Sequence, residues 1–508
     1  MDEQNKILKI SCGAGTILGK KLCSGVACFK GIPYACPPVN DLRWKPPVPL
    51  QHKLNDFPAY QFGAIPCQTE NMVYDPMNFE TYELSKNMSE DCLTLNIWEM
   101  DNGIKNKPVL FWIYGGAFVQ GFGSSPLFDG EDLAASEDII LVTINHREGL
   151  LATLNLSSLD PSGEYRCSNN LYLLDQIQAL KWCYENIEAF GGDKDNITIY
   201  GHSSGSNSVT HLLLFEEARK YFSKAICQSS FFTGCGHTPF EWSGIIGRKV
   251  IELLGAKSMD EMKRIPVSEI LKAQQKLFTI PFEGFTGKLF SPVTDGITIP
   301  MNPMQEILNG KLADKPVMFG YSDGEYDQMF MREPDEEVML QNILSRIPKE
   351  FSITDEIIKG FVKNMPERTK KQAYLDLYNE IFMHSAMLFM ADAFVKGGGT
   401  CYMYCFKWWE DQYKRRAPHG APNAFVFGNS LIPPNAPPQL KRQIQRTWKQ
   451  FMETGSPQND LICEWNPYTK EDPCCMMIDR DWHRETDWKK ADFELVAPFF
   501  QEYEELNT

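Results

Sequence analysis

Short, almost wholly apolar runs recur along the chain: PVLFWIYGG (108–116), DIILVTINH (138–146), NITIYGH (196–202) and PVMFGYSDG (316–324). Each ends in turn residues, the pattern of a strand buried on both faces. Between them, NNLYLLDQIQALKWCYENIEAF (169–190) repeats apolar residues at helical spacing and meets Gly191-Gly192, a helix stop. Strand–helix–strand alternation predicts an α/β chain: a mostly parallel sheet with helices on both faces and ligands bound outside the carboxyl ends of the strands. No repeat, low-complexity tract or clear linker divides it, so one continuous domain over 1–508 is expected.

One junction in this pattern carries chemistry. ITIY reads as a strand ending at Tyr200, and SNSVTHLLL opens a helix with one apolar face. GHSSG (201–205) therefore puts Ser203 on a sharp strand-to-helix turn, where flanking glycines allow the tight backbone and lift the hydroxyl clear of the sheet. The helix N-terminus behind it offers backbone N–H groups to a developing oxyanion.

A serine hydroxyl is a weak nucleophile near neutral pH and needs a base to take its proton and an acid to orient that base. In hydrolases built on this turn, the partners follow in the order Ser, Asp or Glu, His. Beyond His202 and His211 the chain has His237, His384, His419 and His483. His419 stands out in the Pro/Gly loop of APHGAPNAFVFG, whereas IFMHSAMLFM makes His384 a packed core residue. For the acid, the loop after 316–324 offers Asp323, Glu325 and Asp327, and their spacing does not choose among them.

Composition narrows the setting. With 508 residues, 43% hydrophobic and 12% aromatic, the chain can bury a large core. A net charge of −16 argues against a general nucleic-acid binder, which needs a basic surface. No signal peptide is read in MDEQNKILKISCGAGTILG and no run is apolar enough to span a bilayer, so a cytoplasmic location with no membrane span is expected, or secretion if a leader has been trimmed from this sequence. Fifteen cysteines is an odd number and none has zinc-site spacing; no metal is expected.

Several segments in order extend the pattern: FKGIPYACPP (29–38), LRWKPP (42–47), SEDCLTLNIW (89–98), WIYGGAF (112–118), NNLYLLDQIQALKW (169–182), NIEAFGGDKDNITIYGHSSG (186–205), FGYSDGE (319–325) and HGAPNAFVFG (419–428). From about residue 12 to the C-terminus, the chain resembles the type-B carboxylesterase family, the cholinesterase-like branch of the α/β-hydrolases. The resemblance implies an α/β-hydrolase fold with long insertions and hydrolysis of a small-molecule ester through an acyl-enzyme, with no cofactor. It implies Ser203 as nucleophile, His419 as general base and Glu325 as the orienting acid. Gly116, Ala117 and Ser204 would form the oxyanion hole, alanine standing at 117 where the family usually has glycine. An amidase or lactone hydrolase would use the same triad, and a neuroligin-like binding protein would keep the fold but lose the nucleophile, which this chain retains.

The resemblance also implies ion pairs Arg43–Glu90 and Arg147–Asp175, and places Cys67 and Cys92 at a disulfide position that a reducing compartment would leave open. His202 stands where the family often has glutamate, which makes choline esters poorer candidates. Tyr82 falls near the position of a cation-binding tryptophan, and Phe290 resembles an acyl-pocket aromatic. His146 replaces a usual tyrosine and Tyr326 a usual glycine.

Overall fold

A computed structural model describes residues 6–69, 87–230, 236–283, 285, 288–330, 335–345, 354–364, 369–410 and 416–506; Tyr82 lies outside the described residues. Strands β1 (Ile7–Cys12), β2 (Gly15–Lys21), β3 (Val26–Pro33), β4 (Leu54–Pro58) and β5 (Thr94–Met100) come first. They are followed by β6 (Lys107–Ile113), β7 (Ile140–Ile144), β8 (Gly192–His202), β9 (Lys224–Gln228) and a short pair, β10 (Thr238–Pro239) and β11 (Val293–Thr294). The chain closes with β12 (Val317–Ser322), β13 (Cys401–Phe406), β14 (Cys475–Ile478) and β15 (His483–Glu485). All but β10 and β11 join one sheet in the order β1-β2-β3-β5-β7-β6-β8-β9-β12-β13-β14-β15, with β4 beside β2. From β7 to β14 every neighbour pairs in parallel, and antiparallel strands extend both edges.

The continuous apolar runs are explained by burial on both sides. Along β6, Val109, Phe111 and Ile113 enter one core while Leu110 and Trp112 enter the other. In β13, Cys401, Met403 and Cys405 alternate with Tyr402, Tyr404 and Phe406 in the same way. Helices Leu171–Asn186, Ser204–Leu214 and Ser385–Lys396 cover the first face. The second is covered by Glu131–Glu137, Ala421–Phe427 and Pro438–Thr454, the last contributing Leu440, Ile444, Trp448 and Phe451. Each such side chain contributes roughly 1.5–3 kcal/mol on leaving water.

The strand expected to end at Tyr200 continues to His202, because β9 supplies pairing partners as far as His202↔Gln228. The helix expected over 169–190 spans Leu171–Asn186, tightens to a 3₁₀ turn and stops at Gly191 with φ 93°. Arg43 meets Glu90 at 2.5 Å and Arg147 meets Asp175 at 2.6 Å, as expected. Cys67 and Cys92 are unbridged thiols. Burial pushes Cys67 up to about 12 and Cys92 up as well, holding both in the protonated form that does not attack a disulfide. Among the described residues no helix is long and apolar enough to cross a membrane.

Candidate active site

Ser203 sits between β8 and the helix Ser204–Leu214 with φ 57° and ψ −124°, a conformation that L-residues rarely adopt and that costs about 1–3 kcal/mol. Its N–H donates to the Gln228 carbonyl (3.0 Å) and its carbonyl accepts from Asn207 (3.0 Å), so the turn is held from both sides. The flanking glycines are required by contact: a Cβ at Gly201 would lie 2.2 Å from the Gly205 carbonyl oxygen, and one at Gly205 would lie 2.1 Å from that of Ile113.

The loop after β6 approaches this turn so closely that a Cβ at Gly115 would meet the His202 carbonyl at 2.6 Å and the Ser203 Cβ at 2.8 Å. Ala117 (φ 57°) and Phe118 (φ 62°) follow in the left-handed region, and the Gly116 carbonyl accepts from both Val119 (3.1 Å) and Gln120 (3.2 Å). The Phe118 carbonyl accepts from Gly149 (2.8 Å). Among the described residues the N–H groups of Gly116 and Ala117 have no hydrogen-bond acceptor, and Ala117 is exposed. The first-turn N–H groups of the helix that begins at Ser204 likewise lack partners within that helix. The three donors expected of an oxyanion hole therefore belong to two segments in contact at Ser203.

The structure settles which acidic residue meets His419. Glu325 Oε2 is hydrogen-bonded to His419 Nδ1. Asp323 turns instead to Lys489 (3.4 Å), and Asp327 accepts from Arg416 Nε (2.8 Å) and from Asn379 (2.9 Å). Glu325 is 1% exposed, and its Oε1 accepts from the Ser229 hydroxyl (2.6 Å) and the Ser322 N–H (2.6 Å). Burial alone would raise its carboxyl, but the His419 charge and these donors hold it below the usual carboxylate range. The loops are joined directly, Gly324 N–H donating to the Ala417 carbonyl (2.9 Å). Behind them, Gln228 accepts from Tyr404 (3.2 Å) and donates to Asn423 (3.0 Å), anchoring the helix that follows His419.

A buried charge cluster backs the acid. Lys489 Nζ stands 3.4 Å from both Asp323 and Glu380, and His384 donates from Nε2 to the Ser322 carbonyl (3.3 Å). Although burial opposes ionisation, His384 and Lys489 hold Glu380 at about 2. His384 is thus a packed histidine, as its sequence setting predicted, but a hydrogen-bonded one. Ser229, Lys489 and Arg416 escaped the sequence reading; only the polar end of the apolar stretch KAICQSS signalled Ser229.

Other expected residues fall as follows. His202 is 9% exposed with its ring 4.4 Å from that of His419, and burial, then the His419 charge, push it well below the usual histidine range. Phe290 is buried in the main core against Phe278. His146 stacks on Tyr114 at 4.5 Å, and burial holds it at about 4. Tyr326 lies alongside His419, ring centroids 6.1 Å apart and planes 17° from parallel.

A mostly parallel sheet with a strained serine turn at its carboxyl edge and helices on both faces is the architecture of an α/β-hydrolase. Within that class the chain belongs to the carboxylesterase family, whose sequence model matches residues 4–496. It is 32% identical over 492 residues to the para-nitrobenzyl esterase of Bacillus subtilis (strain 168), covering 94% of this chain and 96% of that protein. It is 28% identical to the acetylcholinesterase of Bungarus fasciatus, covering 92% of this chain and 82% of that protein. Among solved structures, a Geobacillus stearothermophilus carboxylesterase at pH 6.2 superposes with a TM-score of 0.83 at 30% identity, covering 96% of this chain and 99% of the other. The chain is a carboxylesterase.

Proposed function

We propose that the chain is a serine hydrolase acting through an acyl-enzyme on uncharged small to medium carboxylic esters, as a single catalytic domain. His419 takes the proton from Ser203 Oγ as Oγ bonds to the ester carbonyl carbon. Gly116, Ala117 and Ser204 N–H groups hold the resulting oxyanion, a contribution of about 3 kcal/mol per donor in such sites. His419 then protonates the departing alcohol as its C–O bond breaks. Water, losing a proton to His419, attacks the acyl carbon, and Ser203 Oγ leaves with that proton.

The observation that carries this reading is the buried Glu325 carboxylate hydrogen-bonded to His419 Nδ1, which leaves Nε2 as the proton carrier. A preference for uncharged esters rests on His202, whose neutral imidazole offers no attraction to a cation where the family often has a carboxylate. The test is p-nitrophenyl esters of rising acyl length with wild type and Ser203→Ala. A nitrophenol burst followed by turnover is expected, with kcat falling on the order of 10⁶-fold in the variant. Equal turnover by both proteins would overturn the reading.

A further inference from the structure

Lys489 breaks three local rules at once. It lies immediately before the helix Lys490–Leu506, and its carbonyl accepts from the Phe493 N–H (2.9 Å), so it starts that helix. A cation there meets the positive end of the helix dipole, where an acid is favoured. Its backbone is left-handed (φ 52°), which costs a residue with a Cβ about 1–2 kcal/mol. Its side chain is only 5% exposed, so the ammonium has left bulk water. Local preference opposes all three choices, and contacts from distant segments must hold the residue in place.

One of those segments is the loop that carries Glu325. Lys489 Nζ stands 3.4 Å from Oδ1 of Asp323, an atom shielded from water that has no hydrogen-bond partner among the described residues. Burial would raise the Asp323 carboxyl, but Lys489 first and then Arg416 hold it well below the usual carboxylate range. On its other side, Lys489 Nζ is 3.4 Å from Glu380 and 2.9 Å from His384 Nδ1. Both belong to a π-helical turn, Glu380–His384, inserted between the helices Lys370–Asn379 and Ser385–Lys396; such turns recur at functional sites. The turn reaches the same loop, since His384 holds the Ser322 carbonyl (3.3 Å) and the Ser322 N–H donates to Glu325 Oε1 (2.6 Å). One ammonium thus ties the C-terminal helix and the π-helical turn to Ser322–Glu325.

We propose that Lys489 is a positioning residue for the triad acid: by drawing Asp323 and the Glu380–His384 turn to one charge, it fixes the loop that aims Glu325 at His419. Resting on the acyl-enzyme reading, this role adds to it a determinant 164 positions beyond Glu325 along the chain. A misplacement of about 1 Å in a catalytic group costs up to about 100-fold in rate, so a loosened loop is felt at the chemical step.

Lys489→Met alone strands both carboxylates, so the test is made in a Glu380→Gln background, where adding Lys489→Met removes one charge of each sign. Turnover of p-nitrophenyl acetate is followed against pH, and organophosphate titration counts the reactive sites in each variant. Adding Lys489→Met should lower kcat per site and kcat/KM together by roughly tenfold or more, with KM unchanged. The acid limb of kcat/KM should move up by roughly half a pH unit, because losing a cation favours the protonated form of the Glu325–His419 pair. The other groups around Lys489, namely Asp323, Asp376, His384, Cys405, Lys407 and Arg416, are unaltered, as are Glu325, His202 and Tyr326 around His419. Lys489→Arg in the same background keeps the charge and should leave the limb in place and recover most of the rate. Asp323→Asn, which keeps Lys489 but weakens its hold on the loop, should also lower kcat, with the limb displaced downward. Unchanged kcat in the Lys489→Met or the Asp323→Asn variant, or equal losses in the Met and Arg variants with a stationary limb, would reduce Lys489 to a support for the fold and overturn the proposal. A wild-type rate in Glu325→Gln would instead overturn the triad reading on which it rests.

Discussion

Ser203 follows β8 and Glu325 follows β12, two strands along the same sheet, yet different forces hold them in place. Around Ser203 the work is done by backbone: a left-handed serine, two glycines with no room for a Cβ, and an adjoining loop in van der Waals contact. Around Glu325 it is done by charge and hydrogen bonds gathered from distant segments, including Ser229 and His419. The nucleophile must project from the sheet at a fixed angle, which a strained turn supplies locally. The acid must stay ionised while buried, which requires compensating donors from all sides.

Substitutions on the two sides should therefore fail differently, and the largest effect belongs to the charged side. Glu325→Gln keeps the shape but loses the charge that orients and stabilises the His419 imidazolium; kcat should fall on the order of 10⁴-fold in ester assays, with little change in melting temperature. An unchanged kcat would remove Glu325 from the triad.

Lys489→Met leaves the buried Glu380 and the half-buried Asp323 without the cation they share and should destabilise the fold by about 3–5 kcal/mol in urea denaturation, partly recovered by adding Glu380→Gln. The same cluster sets an acid limit. Glu380 is held at about 2 against an ordinary 4.5, a depressed carboxylate. Its contribution is fully present above the ordinary value and is lost as pH falls from about 4.5 toward about 2. Melting temperature should drop across that window in wild type and less steeply in Glu380→Gln.

On the backbone side, Gly205→Ala forces a Cβ to within 2.1 Å of the Ile113 carbonyl oxygen. About 3 kcal/mol of destabilisation is expected, accompanied by a lost esterase burst, because the turn can relieve the contact only by moving Ser203. Retained burst kinetics would show that the turn tolerates more than its geometry suggests.

The smallest expected effect tests the meeting of the two sides at His202 and His419. His202→Glu places a carboxylate against the base. An opposite charge at this range favours the imidazolium, so the acid limb of kcat/KM should move up by about one pH unit. Glu325 and Tyr326 also face His419 and are unaltered in this variant, so a stationary limb would mean that His202 does not act on the base through charge.

By itself the sequence determined what depends on near neighbours along the chain. Continuous apolar runs specified strands buried on two faces, because every side chain of a covered parallel strand must leave water. GHSSG between a strand and a helix specified the serine turn, because its constraints lie within five residues. The boundary at Tyr200 was misread because pairing with β9, rather than local preference, carries β8 to His202. Local spacing did not choose among Asp323, Glu325 and Asp327, although the family resemblance pointed to Glu325: three carboxylates within five residues look alike until, in the tertiary structure, Lys489, His419 and Arg416 each claim one. The tertiary structure alone brought His202 and Tyr326 to the His419 ring, 217 and 93 positions away along the chain. Electrostatic and aromatic partners interact through space over a few ångströms, and nothing in local spacing encodes which distant segment will fill that space.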